Sequence, residues 1–275
     1  MVTNMPCVLK LTLAYDGTAY VGWQRQARGV SIQGLLEDGL ARLDGAPVVV
    51  HGAGRTDAGV HALGQVASAR VTTAREPRVV RRALNAMLPG DIRVLEVEEA
   101  PPGFHARYHA AGKAYEYRIW QGDPQPPFAR TWCWHVPQRL DVTAMDRAAR
   151  LLEGRHDFSA FQSSGGSVAT AVRTVTCACA GVREAGPDVA GGHGDHVGAG
   201  AGGRLVVVRI EADGFLRHMV RAIVGTLVEV GRRRRDEASV AALLASRDRA
   251  ASGATAPAHG LVLVRVLYPA PPITP

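Results

Sequence analysis

His51-Gly52-Ala53-Gly54-Arg55-Thr56-Asp57-Ala58-Gly59-Val60-His61-Ala62-Leu63-Gly64-Gln65-Val66 follows the apolar run Val48-Val49-Val50 and leads into Ala67-Ser68-Ala69. Two strands, Val48–Val50 and Gln65–Val71, joined by a glycine-laden loop, account for this pattern. Glycines 52, 54 and 59 admit positive φ and let a ligand come close to the backbone. Between them stand one guanidinium, Arg55, and one carboxylate, Asp57. An extended Arg55 to Asp57 would put both side chains on one face, so that a cation and an anion share one space. The plainer reading is a surface hairpin in which Asp57-Ala58-Gly59 is a turn.

Working outward toward the N-terminus, Ser31 is a good N-cap for a helix in which Ile32, Leu35, Leu36, Gly39, Leu40 and Leu43 form one apolar face. Cys7 to Tyr15 alternates as a strand, and Asp16-Gly17-Thr18 turns the chain. Tyr20, Trp23 and Gln24-Arg25-Gln26 could form an RNA-facing surface, against the alternative that the tryptophan packs in the core. Toward the C-terminus, Pro77 to Met87 reads as a helix ending at Leu88-Pro89-Gly90, and Ile92 to Glu98 as a strand. The order β, α, β, β, α, β is that of a ferredoxin-like split βαβ unit.

Pro101-Pro102-Gly103 breaks the pattern and places a domain boundary there, dividing the chain into 1–103 and 104–275. A similar order then restarts. Lys113 to Trp120 is a strand, and Thr143 with Asp146 starts a helix whose Met145, Ala148, Ala149 and Leu152 share a face. Arg173 to Ala180 and Arg204 to Glu211 form a strand pair, Leu216 to Val230 a helix, and Leu261 to Tyr268 the closing strand. Gly186 to Gly203, rich in Gly, Ala and His, reads as a mobile hairpin insertion. His193 and His196 within it lack the carboxylate company of a metal site. Arg232 to Arg235 follows a helix end, where cations suit the dipole or could meet phosphates.

With 275 residues, 47% of them hydrophobic, the chain can bury one large core or two ordinary ones, which excludes a disordered or fibrous class. A net charge of +7 suits a polyanionic partner. Cysteines 7, 133, 177 and 179 form no C-x-x-C pair and read as reduced thiols. No leader pattern opens the chain and its apolar runs are broken by arginine, which points to a cytoplasmic protein without a membrane span.

Gly54-Arg55-Thr56-Asp57-Ala58-Gly59-Val60-His61 resembles the signature of the TruA family of tRNA pseudouridine synthases. The resemblance extends in collinear order through Tyr15-Asp16-Gly17-Thr18, Tyr20 to Gln26, Asn85 to Ile92, Phe104-His105-Ala106-Arg107, Lys113 to Arg118, His156-Asp157-Phe158 and Phe215 to Arg221. It implies an α+β fold of two ferredoxin-like (RRM-like) halves. These would form a continuous mixed, mainly antiparallel sheet with helices on one side and a central RNA-binding cleft. The implied activity is the isomerisation of uridine to pseudouridine at positions 38 to 40 of the tRNA anticodon stem-loop by a homodimer. In the family the aspartate matching Asp57 is catalytic, Arg55 matches the arginine that fills the space left by the flipped base, and Tyr115 the tyrosine that stacks on it. Arg221 matches a cation paired with the carboxylate, and His218 lies one helical turn before it.

One carboxylate suits this chemistry, whereas a glycosidase wants two and a two-metal nuclease several. The isomerisation has no redox change and needs no cofactor or metal. An ionised Asp57 could attack C1′ of the ribose, attack C6 of uracil, or remove a ribose proton. Three rivals remain: a pseudouridine synthase with another RNA target, a non-catalytic RNA-binding protein, and a metal hydrolase using His51, Asp57 and His61. The RRM sequence stretch that would mark the second is missing.

Overall fold

The computed structural model describes residues 6–73, 75–163, 165, 170–183 and 203–269. The chain divides into two compact units, Met1–Ala111 with Leu263–Pro275, and Gly112–Val262.

Unit 1 is built on β1 (Cys7–Tyr15), whose alternate residues Leu9, Leu11, Leu13 and Tyr15 are all buried. It pairs antiparallel with β3 (His61–Val71) on one side and β4 (Ile92–Ala100) on the other, and β2 (Val50–Gly52) pairs antiparallel with β3. The spatial order β4-β1-β3-β2 is that of the ferredoxin-like unit. The helix Ile32–Asp44 starts where Ser31 Oγ accepts from Gly34 N–H (3.2 Å) and stops at Gly45, whose φ is 80°. It buries Ile32, Leu36 and Leu40, each contributing about 1.5–3 kcal/mol. The helix Pro77–Met87 buries Val80 and Leu84. The two helices meet where a Cβ on Gly39 would stand 2.9 Å from Leu84 Cδ2. Leu263–Leu267 of the last strand, β10 (Leu261–Leu267), belong to this unit and follow β3, with Gly64 against the Val264 carbonyl.

Unit 2 contains β5 (Gly112–Gln121), β6 (Trp134–Val136), a helix Val142–Arg150, β7 (Gly154–Asp157), β8 (Val172–Arg183), β9 (Arg204–Ala212) and helices Met219–Gly231 and Ala238–Ser246. The order β5-β9-β8-β7 is antiparallel throughout, and β6 runs parallel to β5. Both units are therefore α+β, with mainly antiparallel strands.

Several boundaries differ from expectation. β2 starts at Val50 because it pairs only with Ala67–Ala69, which leaves Val49 61% exposed. β3 starts at His61, four residues early. The Val142 helix is capped by Asp141, whose Oδ1 accepts from Ala144 N–H (3.0 Å), and not by Thr143. Its Met145, Ala148 and Ala149 are buried as the pattern required, as is Leu152 beyond its end. The helix expected from Leu216 starts at Met219, because His218 has φ 61°. β6, β7 and the Ala238–Ser246 helix were unanticipated. Residues 186–202 of the expected insertion, with His193 and His196, lie outside the described residues. Among the described residues no helix is long and apolar enough to cross a membrane.

Candidate active site

The loop between β2 and β3 is irregular from Gly54 to Val60, held in place by its main chain. Ala53 N–H donates to Val66 O (2.7 Å), and Gln65 Nε2 donates to Gly54 O (2.9 Å). Thr56 is buried, shares a hydrogen bond with the Tyr15 hydroxyl (2.9 Å), and accepts Trp23 N–H at its carbonyl (3.0 Å). Burial pushes the Tyr15 hydroxyl up to about 12, so it stays protonated. Val60 N–H donates to Asp57 O (3.1 Å), and Gly59 has φ 76°, so Asp57-Ala58-Gly59 is a turn as the plainer reading held. Arg55 is exposed and Asp57 half-buried on either side of the buried Thr56. The alternation expected of an extended segment is thus present without a strand.

Two glycines from the preceding segment wrap this loop. A Cβ on Gly17 would lie 2.0 Å from Val60 O, and one on Gly22, whose φ is 104°, would lie 2.6 Å from Thr56 O and 3.0 Å from Asp57 C. Side chains cannot be accommodated there, so the loop rests directly on backbone. Of the loop's own glycines, only Gly59 needs positive φ. Gly52 is required for a different reason, since its Cβ would stand 2.4 Å from the Trp23 ring. Trp23 is 2% exposed and Tyr20 7%, so neither forms the RNA-facing surface considered from sequence, and Trp23 supports the loop from within. His61 is wholly buried, and its Nδ1 accepts Gly17 N–H (3.0 Å), which ties the loop's far end to the same segment.

Arg55 is aimed by a relay that sequence reading missed. Its Nε donates to Gln24 Oε1 (3.0 Å), Gln24 Nε2 donates to Gln33 Oε1 (2.7 Å), and Gln33 Nε2 donates to Val50 O (2.8 Å). Arg25 is instead engaged by Glu37 (3.0 Å) and Asp38 (2.6 Å).

The remaining candidates belong to unit 2. Tyr115 on β5 is 6% exposed and meets Phe215 edge-on, with centroids 4.9 Å apart. Its neighbour on the same face, Tyr117, is structural: its hydroxyl donates to Pro257 O (2.7 Å) and Gly260 lies against its ring. His218 precedes the Met219–Gly231 helix and hydrogen-bonds Ser163 Oγ through Nδ1 (3.0 Å). Arg221, in the first turn, donates from Nε to Ala256 O (2.7 Å). Leu216 and Met219 are buried packing residues. Of the arginine run, Arg233 and Arg235 pair with Asp141 (3.3 Å) and Glu229 (3.0 Å). Among the described residues, no cluster of three or more His, Cys, Asp or Glu side chains could hold a metal ion.

A family model described as tRNA pseudouridine synthase matches residues 12–109 and 148–269, stretches that include Arg55, Asp57, His218 and Arg221, with Tyr115 between them. The chain is 46% identical over 270 residues to the tRNA pseudouridine synthase A of Moorella thermoacetica, covering 96% of this chain and 100% of that protein. It is 44% identical over 261 residues to that of Syntrophotalea carbinolica (95% and 96% covered) and 46% over 278 residues to that of Nitratidesulfovibrio vulgaris (94% and 99%). The chain belongs to the tRNA pseudouridine synthase family.

Proposed function

We propose that this protein isomerises uridine to pseudouridine in tRNA, at positions 38 to 40 of the anticodon stem-loop, with Asp57 as the catalytic carboxylate. The observation that carries this reading is the loop Gly54–His61, in which one carboxylate and one guanidinium project from a backbone clamped by Gly17, Gly22 and Trp23, with the Tyr15 hydroxyl holding the Thr56 side chain. Such clamping suits a reaction in which the protein supplies positioning. The N1–C1′ bond breaks, the uracil turns, and C5 bonds to C1′ while the C5 proton moves to solvent and N1 gains one. Attack at C1′, attack at C6 and removal of a ribose proton all require Asp57 ionised.

A uridine reaches Asp57 only after leaving its stack, at a cost of a few kcal/mol. Arg55, exposed and held at Nε by Gln24, is suited to occupy the vacated space. In this reading Tyr115 stacks on the extruded uracil, and Arg221, with His218 one helical turn before it, is the cation paired with the catalytic carboxylate. Residues 1–103 carry the aspartate loop, and 104–275 complete the site. The enzyme works as a homodimer in the cytoplasm, with tRNA as its partner and without cofactor or metal.

The test is to incubate purified protein with unmodified tRNA in EDTA and map pseudouridine by nucleotide. Pseudouridine confined to positions 38 to 40 is expected. Modification elsewhere would move the target, and none at any position would end the enzymatic reading.

A further inference from the structure

Outside the aspartate loop, unit 1 carries three stacked rings. His51, exposed on β2, stacks on His105 with centroids 4.6 Å apart and planes at 29°. His105 in turn stacks on Tyr108 at 4.2 Å and 28°. Tyr108 is 76% exposed. The array is built, not incidental. The β2–β3 register sets His51 opposite Ser68, and Ser68 Oγ accepts Ala106 N–H (3.0 Å) while the Tyr268 hydroxyl donates to Ala106 O (2.7 Å). Both polar groups of a wholly buried Ala106 are thereby pinned, which places the flanking His105 beside His51. The imidazole of His105 is fixed too, because its Nδ1 accepts Arg107 N–H (3.1 Å). Burial, then the neighbouring His51, lowers its pKa, so the middle ring is neutral at physiological pH.

A large ring held in an ordered stack with its outer face open has already lost the rotamer freedom that a stacking partner would otherwise have to freeze out. Nucleobases stack on such faces whatever their identity. Arg107, exposed beside it, adds a cation for a phosphate.

We propose that Tyr108 is a stacking platform for an unpaired tRNA base other than the reacting uridine, with His105 and His51 as its rigid backing. The proposal rests on tRNA being the substrate. To test it, a full-length tRNA is made with an abasic site at each unpaired position in turn, and affinity is measured for the parent, Tyr108→Ala and Tyr108→Phe. One abasic position should weaken parent binding between about 5-fold and about 150-fold, the span for one stacked base. At that position Tyr108→Ala should show no further loss, whereas Tyr108→Phe behaves as the parent. The slope of log affinity against log salt should stay the same in Tyr108→Ala, since stacking releases no counterions. Three results would overturn it: no position coupled to Tyr108, coupling only at the reacting uridine, or equal weakening of every RNA. Failure of the parent itself to bind intact tRNA would instead refute the substrate assignment.

Discussion

Two carboxylates, one in each unit, sit in different settings. Glu116 on β5 is 3% exposed and ringed by Arg118 (3.0 Å), Arg183 (3.1 Å) and Arg209 (3.3 Å). Burial pushes its carboxyl up, but hydrogen bonds and charge from Arg183 and Arg118 outweigh it and leave the group below its ordinary 4.5. The position of Glu116 is set by what its oxygens bond. Asp57 is placed through its main chain, by Val60 N–H at its own carbonyl, Trp23 N–H at the preceding one, and Gly22 against both peptides. A clamp on the oxygens suits a group that must never change partners. In the proposed reaction the oxygens of Asp57 exchange partners, and a clamp on the backbone keeps the residue in place while they do.

The strongest way to break this contrast is to neutralise each carboxylate. Asp57→Asn should bind tRNA as the parent does, yet lose several orders of magnitude in single-turnover pseudouridine formation. Retention of more than about a tenth of the parent rate would sink the assignment, since removing a reacting group costs far more. Displacing the backbone clamp comes next. Gly22→Ala adds a Cβ 2.6 Å from Thr56 O at φ 104°, and a shift of the loop approaching 1 Å should cost about a hundredfold in turnover. Gly45→Ala is its control: φ is 80°, but nothing lies within 4 Å, so stability should fall by about 1 kcal/mol with turnover unchanged. Parent-like turnover in Gly22→Ala would show that the loop tolerates the intrusion.

Glu116→Gln should act on stability and spare chemistry. We expect a loss of about 3 kcal/mol, the low end for an orphaned buried pair because Arg183 and Arg209 reach solvent. With the folded pKa depressed, the stabilisation from ionised Glu116 is complete above pH 4.5 and disappears as pH falls through the lower folded value. Denaturant midpoints of parent and variant should therefore converge below pH 4.5 and stay apart at neutrality. A constant gap would mean that the charge of Glu116 is not what holds the cluster. The smallest effect is expected from excising 186–202, which should leave turnover within about twofold because the length of chain joining β8 to β9 costs little.

Sequence reading succeeded where a period was long enough to see. Cys7–Tyr15 and Pro77–Met87 emerged with the expected bounds, because alternation or helical spacing runs for nine and eleven residues. β6 and β7, with three and four residues, are too short to show a period, and Ala238–Ser246 has no polar face to reveal its helix. In the loop, the paired side chains flanking Thr56 were legible. The role of Gly52 was misread as conformational freedom, because only the fold brings the Trp23 ring against it. The relay from Gln24 to Gln33 gave no signal: a glutamine that links an arginine to a strand carbonyl looks, in a string of letters, like any polar residue beside a turn.

The hydrogen bonds around Gly17, Trp23 and Val60 carry a consequence for exchange with deuterated solvent. Each of these amides lies outside a regular strand or helix, yet each donates to a fixed acceptor, namely His61 Nδ1, Thr56 O and Asp57 O. Amides in an unstructured surface loop exchange with the solvent almost unimpeded, whereas these must wait for a rarer opening. Because Gly17 and Gly22 touch the loop through backbone alone, that opening cannot proceed by one side chain swinging aside. The peptides of residues 17, 23 and 60 should therefore exchange together, at a rate nearer that of β1 than that of an ordinary turn.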